Sequence, residues 1–306
     1  MKKEPKMKKI FIALICIIII VSMSSCIIKT EEDPASDFEY HFSSNDEFAI
    51  IEKYIGDSTN VVIPQTIEGR AVSSLFGKNV DDFIEGVFEG TDVETVVIPK
   101  SVQYIGNDAF ENCSKLVSVE IEENSELHTI SSQAFENCSA LKNINLENAT
   151  KLTCIENRAF YNCSSIESIK FPKDLETIGL EAFANCSALK SINVPAKLNM
   201  INLDGASFSG VDSLEEIIFD EGRENIRGYL FFMITSNVKI VIPKGVTNID
   251  VTTFVNNGNM NIYFLGDCPQ ISEGDSFSGN VTIYYDPSTI GWDTTPLRNV
   301  HTLISN

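Results

Sequence analysis

The stretch "AFENCSKL", residues 109–116, recurs 25 residues later as "AFENCSAL", residues 134–141, with one difference. Two further near-copies, "AFYNCSSI" and "AFANCSAL", begin at Ala159 and Ala182. A segment that returns at a regular spacing is typical of a repeat protein, in which every unit builds the same local structure. The octamer therefore decides the fold class before any other feature of the sequence does.

Phenylalanine marks the same period over most of the chain. Nine phenylalanines follow one another at spacings of 22–25 residues: Phe88, Phe110, Phe135, Phe160, Phe183, Phe208, Phe231, Phe254 and Phe277. A bulky apolar residue precedes most of them by five positions, as Ile105 precedes Phe110 and Ile130 precedes Phe135. The chain therefore contains nine repeats.

Each well-preserved repeat predicts one short β-strand. After Phe110, the apolar residues Val119 and Ile121 flank a polar one, which is the period-two pattern of a strand with one buried face. The equivalent pairs in later repeats are Ile144 and Leu146, Ile169 and Phe171, Ile192 and Val194, and Ile217 and Phe219. A single unit cannot bury this face alone, whereas stacked copies with strands about 4.8 Å apart share one core.

These patterns predict a repeat solenoid over residues 88–292. Residues 38–87 are assigned to an N-terminal cap and first repeat, and residues 293–306 to a C-terminal tail. The longer segments "IGNDAFENCSKLVSVEI", "ISSQAFENCSALKNINL" and "IGLEAFANCSALKSINVP" resemble the BspA-like leucine-rich repeats. The resemblance implies a leucine-rich-repeat-like right-handed coil, with one short parallel strand per repeat and short helical or irregular turns opposite.

The N-terminus has the layout of a secretion signal. Its first nine residues carry five lysines and one glutamate, and residues 10–21 are an unbroken apolar run. This run is short for a bilayer core of about 30 Å, so a membrane helix is the weaker interpretation. The "MSSC" boundary resembles a bacterial lipobox, which predicts a lipoprotein signal peptide over 1–25, a lipidated Cys26 and an acidic tether over 26–37. An ordinary cleaved signal with an incidental Cys26 is the alternative.

Composition argues against several classes of function. The formal net charge is −20, so nucleic acid is an unfavourable partner. The three histidines, His41, His128 and His301, are far apart in any solenoid and suggest neither a catalytic triad nor a metal cluster. We expect no cofactor, no metal and no enzymatic activity.

Four cysteines occupy the same place in successive repeats, where they could have either a chemical or a structural role. They are Cys113, Cys138, Cys163 and Cys186, each three residues after Phe110, Phe135, Phe160 and Phe183. A zinc site usually takes two close cysteine pairs, whereas these come one per repeat. We interpret them, with the four phenylalanines, as a structural ladder of buried thiols and rings. Disulfides between neighbours and a metal site are the alternatives.

The residue between the two inward strand positions faces outward and locates a candidate binding surface. In the middle repeats it is polar, as at Glu120 and Asn145. In four later repeats it is apolar or aromatic: Ile218, Val241, Tyr263 and Tyr284. Such a strip usually marks a contact site. A slipped register or a tail folded over the strip would instead make these residues core.

The family resemblance implies surface-exposed bacterial proteins, some of them adhesins, with no shared catalytic residue. We therefore hypothesise a protein in the cell envelope, lipid-anchored and surface-exposed, that binds a protein or glycan partner of the host, the matrix or a neighbouring cell. The alternative hypothesis is a structural or accessory envelope protein that docks partners within its own cell surface.

Overall fold

In the part of the chain that the structure describes, strands account for nearly all the regular secondary structure, and successive turns of the chain stack them in parallel. The computed structural model describes residues 31–80, 83–199, 207–227, 237–250, 259–271, 281–293, 295 and 302–305. The chain divides into the units Met1–Thr30 and Glu31–Asn306, and every described residue belongs to the second. The helices of this part are two three-residue 3-10 turns, Ala35–Asp37 and Leu146–Asn148, and none has the length to cross a membrane.

In chain order the strands are β1 (Phe38–Phe42), β2 (Phe48–Tyr54), β3 (Asn60–Val62), β4 (Thr66–Ile67), β5 (Arg70–Leu75), β6 (Lys78–Val80), β7 (Phe83–Glu85), β8 (Thr95–Ile98), β9 (Tyr104–Ile105), β10 (Ser118–Ile121), β11 (Thr129–Ile130), β12 (Asn143–Ile144), β13 (Cys154–Ile155), β14 (Ser168–Ile169), β15 (Thr177–Ile178), β16 (Ser191–Val194), β17 (Glu216–Phe219), β18 (Asn225–Ile226), β19 (Val238–Ile242), β20 (Asn248–Ile249), β21 (Met260–Phe264), β22 (Gln270–Ile271), β23 (Val281–Tyr285) and β24 (Thr302–Ser305).

The predicted repeat solenoid with parallel strands is confirmed. The predicted strands lie in two ladders, β3-β8-β10-β12 and β14-β16-β17-β19-β21-β23-β24, the second of which ends in the unpredicted strand β24. Within them Val119 pairs with Val96 on one side and Ile144 on the other, so equivalent residues of successive repeats lie side by side. Several of these strands end at a proline, as at Pro99 and Pro195, because proline has no N–H to donate to the next strand.

The prediction of one strand per repeat misses a second, shorter one. The isoleucines five positions before the phenylalanines lie in two-residue strands, such as β9, β11, β13 and β15, which pair in parallel in the sheet that also contains β1, β2 and β5. A further ladder of this kind is β18-β20-β22. A two-residue strand is too short to show a period in the sequence. The sequence pattern therefore identified its buried isoleucine but not the strand.

The two ladders of long strands are separate because β12 and β14 do not pair with each other. The sequence predicts that strands of successive repeats pair without a break at this point. Asn145 leaves the extended conformation, with φ −91° and ψ 64°, and a 3-10 turn follows. Its side chain takes over the pairing: Oδ1 accepts from Ile121 N at 2.7 Å and Nδ2 donates to Ile121 O at 3.0 Å. Asn193 binds the backbone of Phe171 in the same way. Leu146 and Phe171 are nevertheless buried as predicted from their spacing.

Phenylalanine rings form the centre of the core. Phe110, Phe135, Phe160 and Phe183 are fully buried, and neighbouring rings stack with nearly parallel planes and centroids 4.9–5.0 Å apart. The row continues to Phe88 at one end, while Phe208 lies 5.3 Å from Phe183 at the other. Phe231, Phe254 and Phe277 lie outside the described residues.

The turn after each phenylalanine requires a left-handed residue, which explains the recurring asparagine. Asn112, Asn137 and Asn162 have φ of 60°, and glycine takes the same place after Phe88 and Phe208. Asparagine tolerates this region better than most residues. The amides also join successive turns, because Asn137 Nδ2 donates to Asn112 Oδ1 at 3.0 Å and Asn162 Nδ2 donates to Asn137 Oδ1 at 2.9 Å.

Different elements cover the two ends of the repeats. At the N-terminal end, β1 and β2 pair antiparallel. Asp33, in the segment assigned to the tether, is buried and exchanges hydrogen bonds with the backbone of Val62 in β3. At the C-terminal end, Trp292 is buried against Phe264 and Tyr285. The assigned tail contributes β24, which pairs in parallel with β23.

Candidate interaction surface

The four residues of the predicted strip lie side by side on neighbouring strands. Ile218 pairs with Val241, Val241 with Tyr263, and Tyr263 with Tyr284, so the register is continuous over four strands. Ile218 is 40% exposed, and the other three are partly exposed. The structure therefore brings all four together on one outward face.

The strand neighbours of the strip face the opposite way. Ile217, Ile240, Ile262 and Ile283 are buried, in alternation with the strip residues. This alternation is what a sheet with one buried face requires. The described strands therefore keep the predicted register. They do not show the slipped register that would have turned the strip residues into the core.

A stacked pair of tyrosines dominates the strip. The rings of Tyr263 and Tyr284 have centroids 4.3 Å apart and planes 4° apart. Lys239 Nζ lies 5.5 Å from the Tyr263 ring centroid and 2.7 Å from Glu216 Oε1. The lysine charge is thus neutralised beside the strip. The surface of the strip is therefore mainly aromatic and aliphatic.

Part of the C-terminal tail extends the sheet at its edge. In β24, Ile304 occupies the register position opposite Tyr284. The described part of the tail therefore lies next to the strip in the sheet. The sequence analysis gave folding of this tail over the strip as an alternative to a binding surface.

The cysteines of the ladder lie in the core. Cys113, Cys138, Cys163 and Cys186 are free thiols without solvent exposure. Burial raises the pKa of Cys113 to about 11 and that of Cys186 to about 12, and it also raises the pKa values of Cys138 and Cys163. The thiols therefore stay protonated at neutral pH and are poor nucleophiles and poor metal ligands. No cluster of His, Cys, Asp or Glu suited to a metal ion occurs within the described ranges.

The sequence did not predict a second group of exposed aromatic residues. Phe76 and Tyr104 are 43% and 39% exposed, with ring centroids 6.3 Å apart, and the ring of His128 lies 6.3 Å beyond Tyr104. Tyr104 and His128 lie on or beside the short strands. Because those strands were not predicted, the sequence offered no register that would align them.

Ion pairs join successive turns at the surface of the described repeats. Examples are Lys115 with Asp92 and Lys190 with Glu167, both at 2.8 Å. Arg158 reaches Glu136, whose side chain is only 7% exposed. Cys26, the predicted lipidation site, lies outside the described residues.

Comparison with known proteins identifies the repeat. The profile of the BspA-type leucine-rich repeat region, six copies, matches residues 82–204 and 199–284. The chain belongs to the BspA-type leucine-rich repeat family. Leucine-rich repeat solenoids are generally scaffolds for protein interactions and are typically not enzymes. No curated protein shows significant sequence similarity to this BspA-type chain.

Three solved structures resemble the BspA-type chain. A leucine-rich repeat protein from Bacteroides ovatus is 23% identical, covers 83% of this chain and 71% of its own, and has a TM-score of 0.52. The T. pallidum leucine-rich repeat protein is 21% identical over 82% of this chain and 98% of its own, with a TM-score of 0.46. A leucine-rich cell surface protein from Faecalibacterium prausnitzii is 18% identical over 90% and 77%, with a TM-score of 0.47. At these identities, the Bacteroides ovatus structure supports the fold alone.

Proposed function

We propose that this BspA-type chain is a lipid-anchored scaffold of the bacterial cell surface that binds another macromolecule, a protein or a glycan, as an adhesin does. The observation that carries the proposal is the strip of Ile218, Val241, Tyr263 and Tyr284. It places apolar and aromatic side chains in one row on an exposed sheet face of a strongly acidic protein.

Physical chemistry favours this strip as a contact site. A row of apolar groups held at strand spacing in water gains free energy when a partner covers it, at about 25 cal/mol for each Å² buried. Tyrosine is enriched in interfaces because it buries a large ring and keeps a polar tip. Tyr263 and Tyr284 also lose little side-chain entropy on binding, because each ring already packs against the other.

The proposal is tested by exposing the protein to an array of extracellular-matrix proteins and glycans, with the double variant Tyr263→Ser/Tyr284→Ser beside it. We expect at least one specific partner, and we expect the variant to lose about tenfold in affinity or more, as for interface hot spots. The matched control is Phe76→Ser/Tyr104→Ser, which removes two exposed aromatic rings elsewhere and should bind normally. Reduced binding by both variants, or a large loss of stability in the strip variant alone, contradicts the proposal.

The anchoring part of the proposal rests on the "MSSC" boundary at Cys26 and is tested separately. The chain should partition into the detergent phase, and Cys26→Ala should move it into the aqueous phase because the acyl chains are lost. Unchanged partitioning of the variant contradicts lipidation. Protease treatment of intact cells then tests surface exposure: protection of the repeats would favour the accessory role within the envelope.

A further inference from the structure

The cysteine ladder has a geometry that goes beyond filling space. Each thiol points at the carbonyl of the phenylalanine one turn earlier and donates to it. The Sγ–O distances are 2.9 Å from Cys113 to Phe88, 3.0 Å from Cys138 to Phe110, 3.1 Å from Cys163 to Phe135 and 3.3 Å from Cys186 to Phe160. Four fully buried thiols thus repeat one contact in four successive turns.

The folded ladder resists thiol chemistry. A thiol attacks a disulfide only as its thiolate and only where the reagent can reach it. Cys138 and Cys163 have no solvent exposure, and burial raises the pKa of both thiols. A small disulfide such as oxidised glutathione therefore finds neither the ionised form nor access in the folded protein.

The parallel side chains of the same ladder do not suit a disulfide between neighbours. A disulfide needs Cβ atoms about 3.5–4.5 Å apart and a torsion near 90° about its S–S bond. Equivalent side chains of neighbouring turns stand parallel, as the rings of Phe110 and Phe135 show with planes 3° apart, and parallel Cα–Cβ bonds do not suit this torsion. The thiols of Cys138 and Cys163 also point the same way, each toward a carbonyl of its preceding turn.

We infer that the ladder of Cys113, Cys138, Cys163 and Cys186 makes opening of the solenoid irreversible in the presence of a disulfide oxidant. When the turns separate, the thiols become exposed and regain ordinary acidity. One thiolate attacks oxidised glutathione, forms a mixed disulfide and releases one glutathione thiol. The thiolate of a second ladder cysteine attacks the protein sulfur of that mixed disulfide and releases the second glutathione. The protein then holds one new disulfide, and two electrons have passed to glutathione.

Two properties of the chain favour this reaction after opening. Neighbouring ladder cysteines are only 23–25 residues apart, so closure of the loop between them costs little chain entropy. The product joins two positions that the native ladder keeps parallel, so the cross-linked chain cannot restore the stacked turns. Refolding then requires a reductant.

The test uses the full-length chain in detergent with Cys16, Cys26, Cys154 and Cys268 replaced by Ser, which leaves only the ladder thiols. The protein is unfolded in urea with oxidised glutathione or with a reductant, then diluted, and its far-UV circular dichroism is measured. We expect the native signal to return after reduction, to be several-fold weaker after oxidation, and to recover with dithiothreitol. Folded protein in oxidised glutathione should keep four free thiols.

Two further variants separate the ladder disulfide from a mixed disulfide. One keeps Cys138 and Cys163, and the other keeps Cys138 alone, with the remaining ladder cysteines replaced by Ala. We expect the first to be trapped and the second to refold. Equal trapping of both overturns the inference, as does native refolding of a chain in which peptide mapping finds a ladder disulfide. Mapping needs only the four-cysteine protein, so it decides the question even where the Ala variants do not fold.

Discussion

Arg158 holds the buried carboxylate of Glu136 with two hydrogen bonds, from Nε to Oε2 at 3.0 Å and from Nη2 to Oε1 at 2.6 Å. The two residues belong to successive turns, and Glu136 is 7% exposed at its side chain while Arg158 is 40% exposed. The pair therefore joins two repeats at a point where one partner has little access to water.

Replacement of Arg158 by Ala is expected to lower the free energy of unfolding by about 1–2 kcal/mol, because it leaves a carboxylate with few partners in a poorly hydrated place. Urea unfolding followed by circular dichroism measures the loss. The control is Lys115→Ala, which removes an ion pair between two exposed side chains and should have no measurable effect. An equal loss in both variants would show that the burial of Glu136 is immaterial.

Truncation of the aromatic core tests the stacked turns. Phe135→Ala should lower the free energy of unfolding by about 3–5 kcal/mol, because it removes a fully buried ring between two others and leaves a cavity. Phe76→Ala, at a 43% exposed ring, should change it by no more than about 0.5 kcal/mol. Similar values for the two would be incompatible with the described row of rings.

Exchange of a ladder thiol for a hydroxyl tests how apolar the ladder is. Cys138→Ser should cost about 1–3 kcal/mol, since the more polar hydroxyl is buried in the hydrophobic core. Cys154→Ser, at a half-buried cysteine in β13, should be milder. If Cys138 in the folded protein reacts with a thiol reagent as fast as Cys154 does, the thiol is accessible and the structural interpretation fails.

Asp108 predicts a pH dependence of stability. Burial, together with the charges of Glu89 and Glu136, raises the pKa of this carboxyl, and its Oδ1 is buried without a hydrogen-bond partner. A carboxyl with a raised pKa in the folded state binds more protons there than in the unfolded state, so its ionisation destabilises the fold at neutral pH. This penalty disappears as the pH falls through the raised pKa toward about 3.9, the ordinary value.

Asp108→Asn should therefore be more stable than the parent at pH 7 and should lose that advantage in acid. Unfolding in urea at several pH values measures both. Asp108 has φ of 56°, where Asn is also favoured, but that contribution does not change with pH. A gain of the same size at every pH would assign the effect to the backbone and contradict the burial of the charge.

The sequence predicted those features that recur with a clear period. Phenylalanine at one place per repeat located the core, and the alternation around residues such as Val119 and Ile217 located the long strands. Because an alternating strand defines which side chain points outward, it also placed Tyr263 and Tyr284 on one face.

Features that depend on one or two residues were not predictable. The short strands contain two residues each, so their aromatic neighbours, Phe76 and Tyr104, could not be aligned. The interruption of the long ladder arises because one side chain, that of Asn145, replaces the backbone of a strand. The pairing of β24 depends on contacts with a strand that precedes it by 16 residues of intervening chain. A local sequence pattern does not predict contacts between segments that far apart in the chain.

The equivalence of successive turns makes the length of this protein adjustable. Removal of residues 109–133 would join Asp108 to Ala134, which begins an octamer that differs from the one at Ala109 in a single residue. The long strands on either side would still pair through equivalent residues. The shortened chain would lack one turn and bring the tyrosine pair about 4.8 Å nearer to β1. Gain or loss of whole repeats can therefore change the reach of the contact surface in fixed steps while the surface itself stays the same.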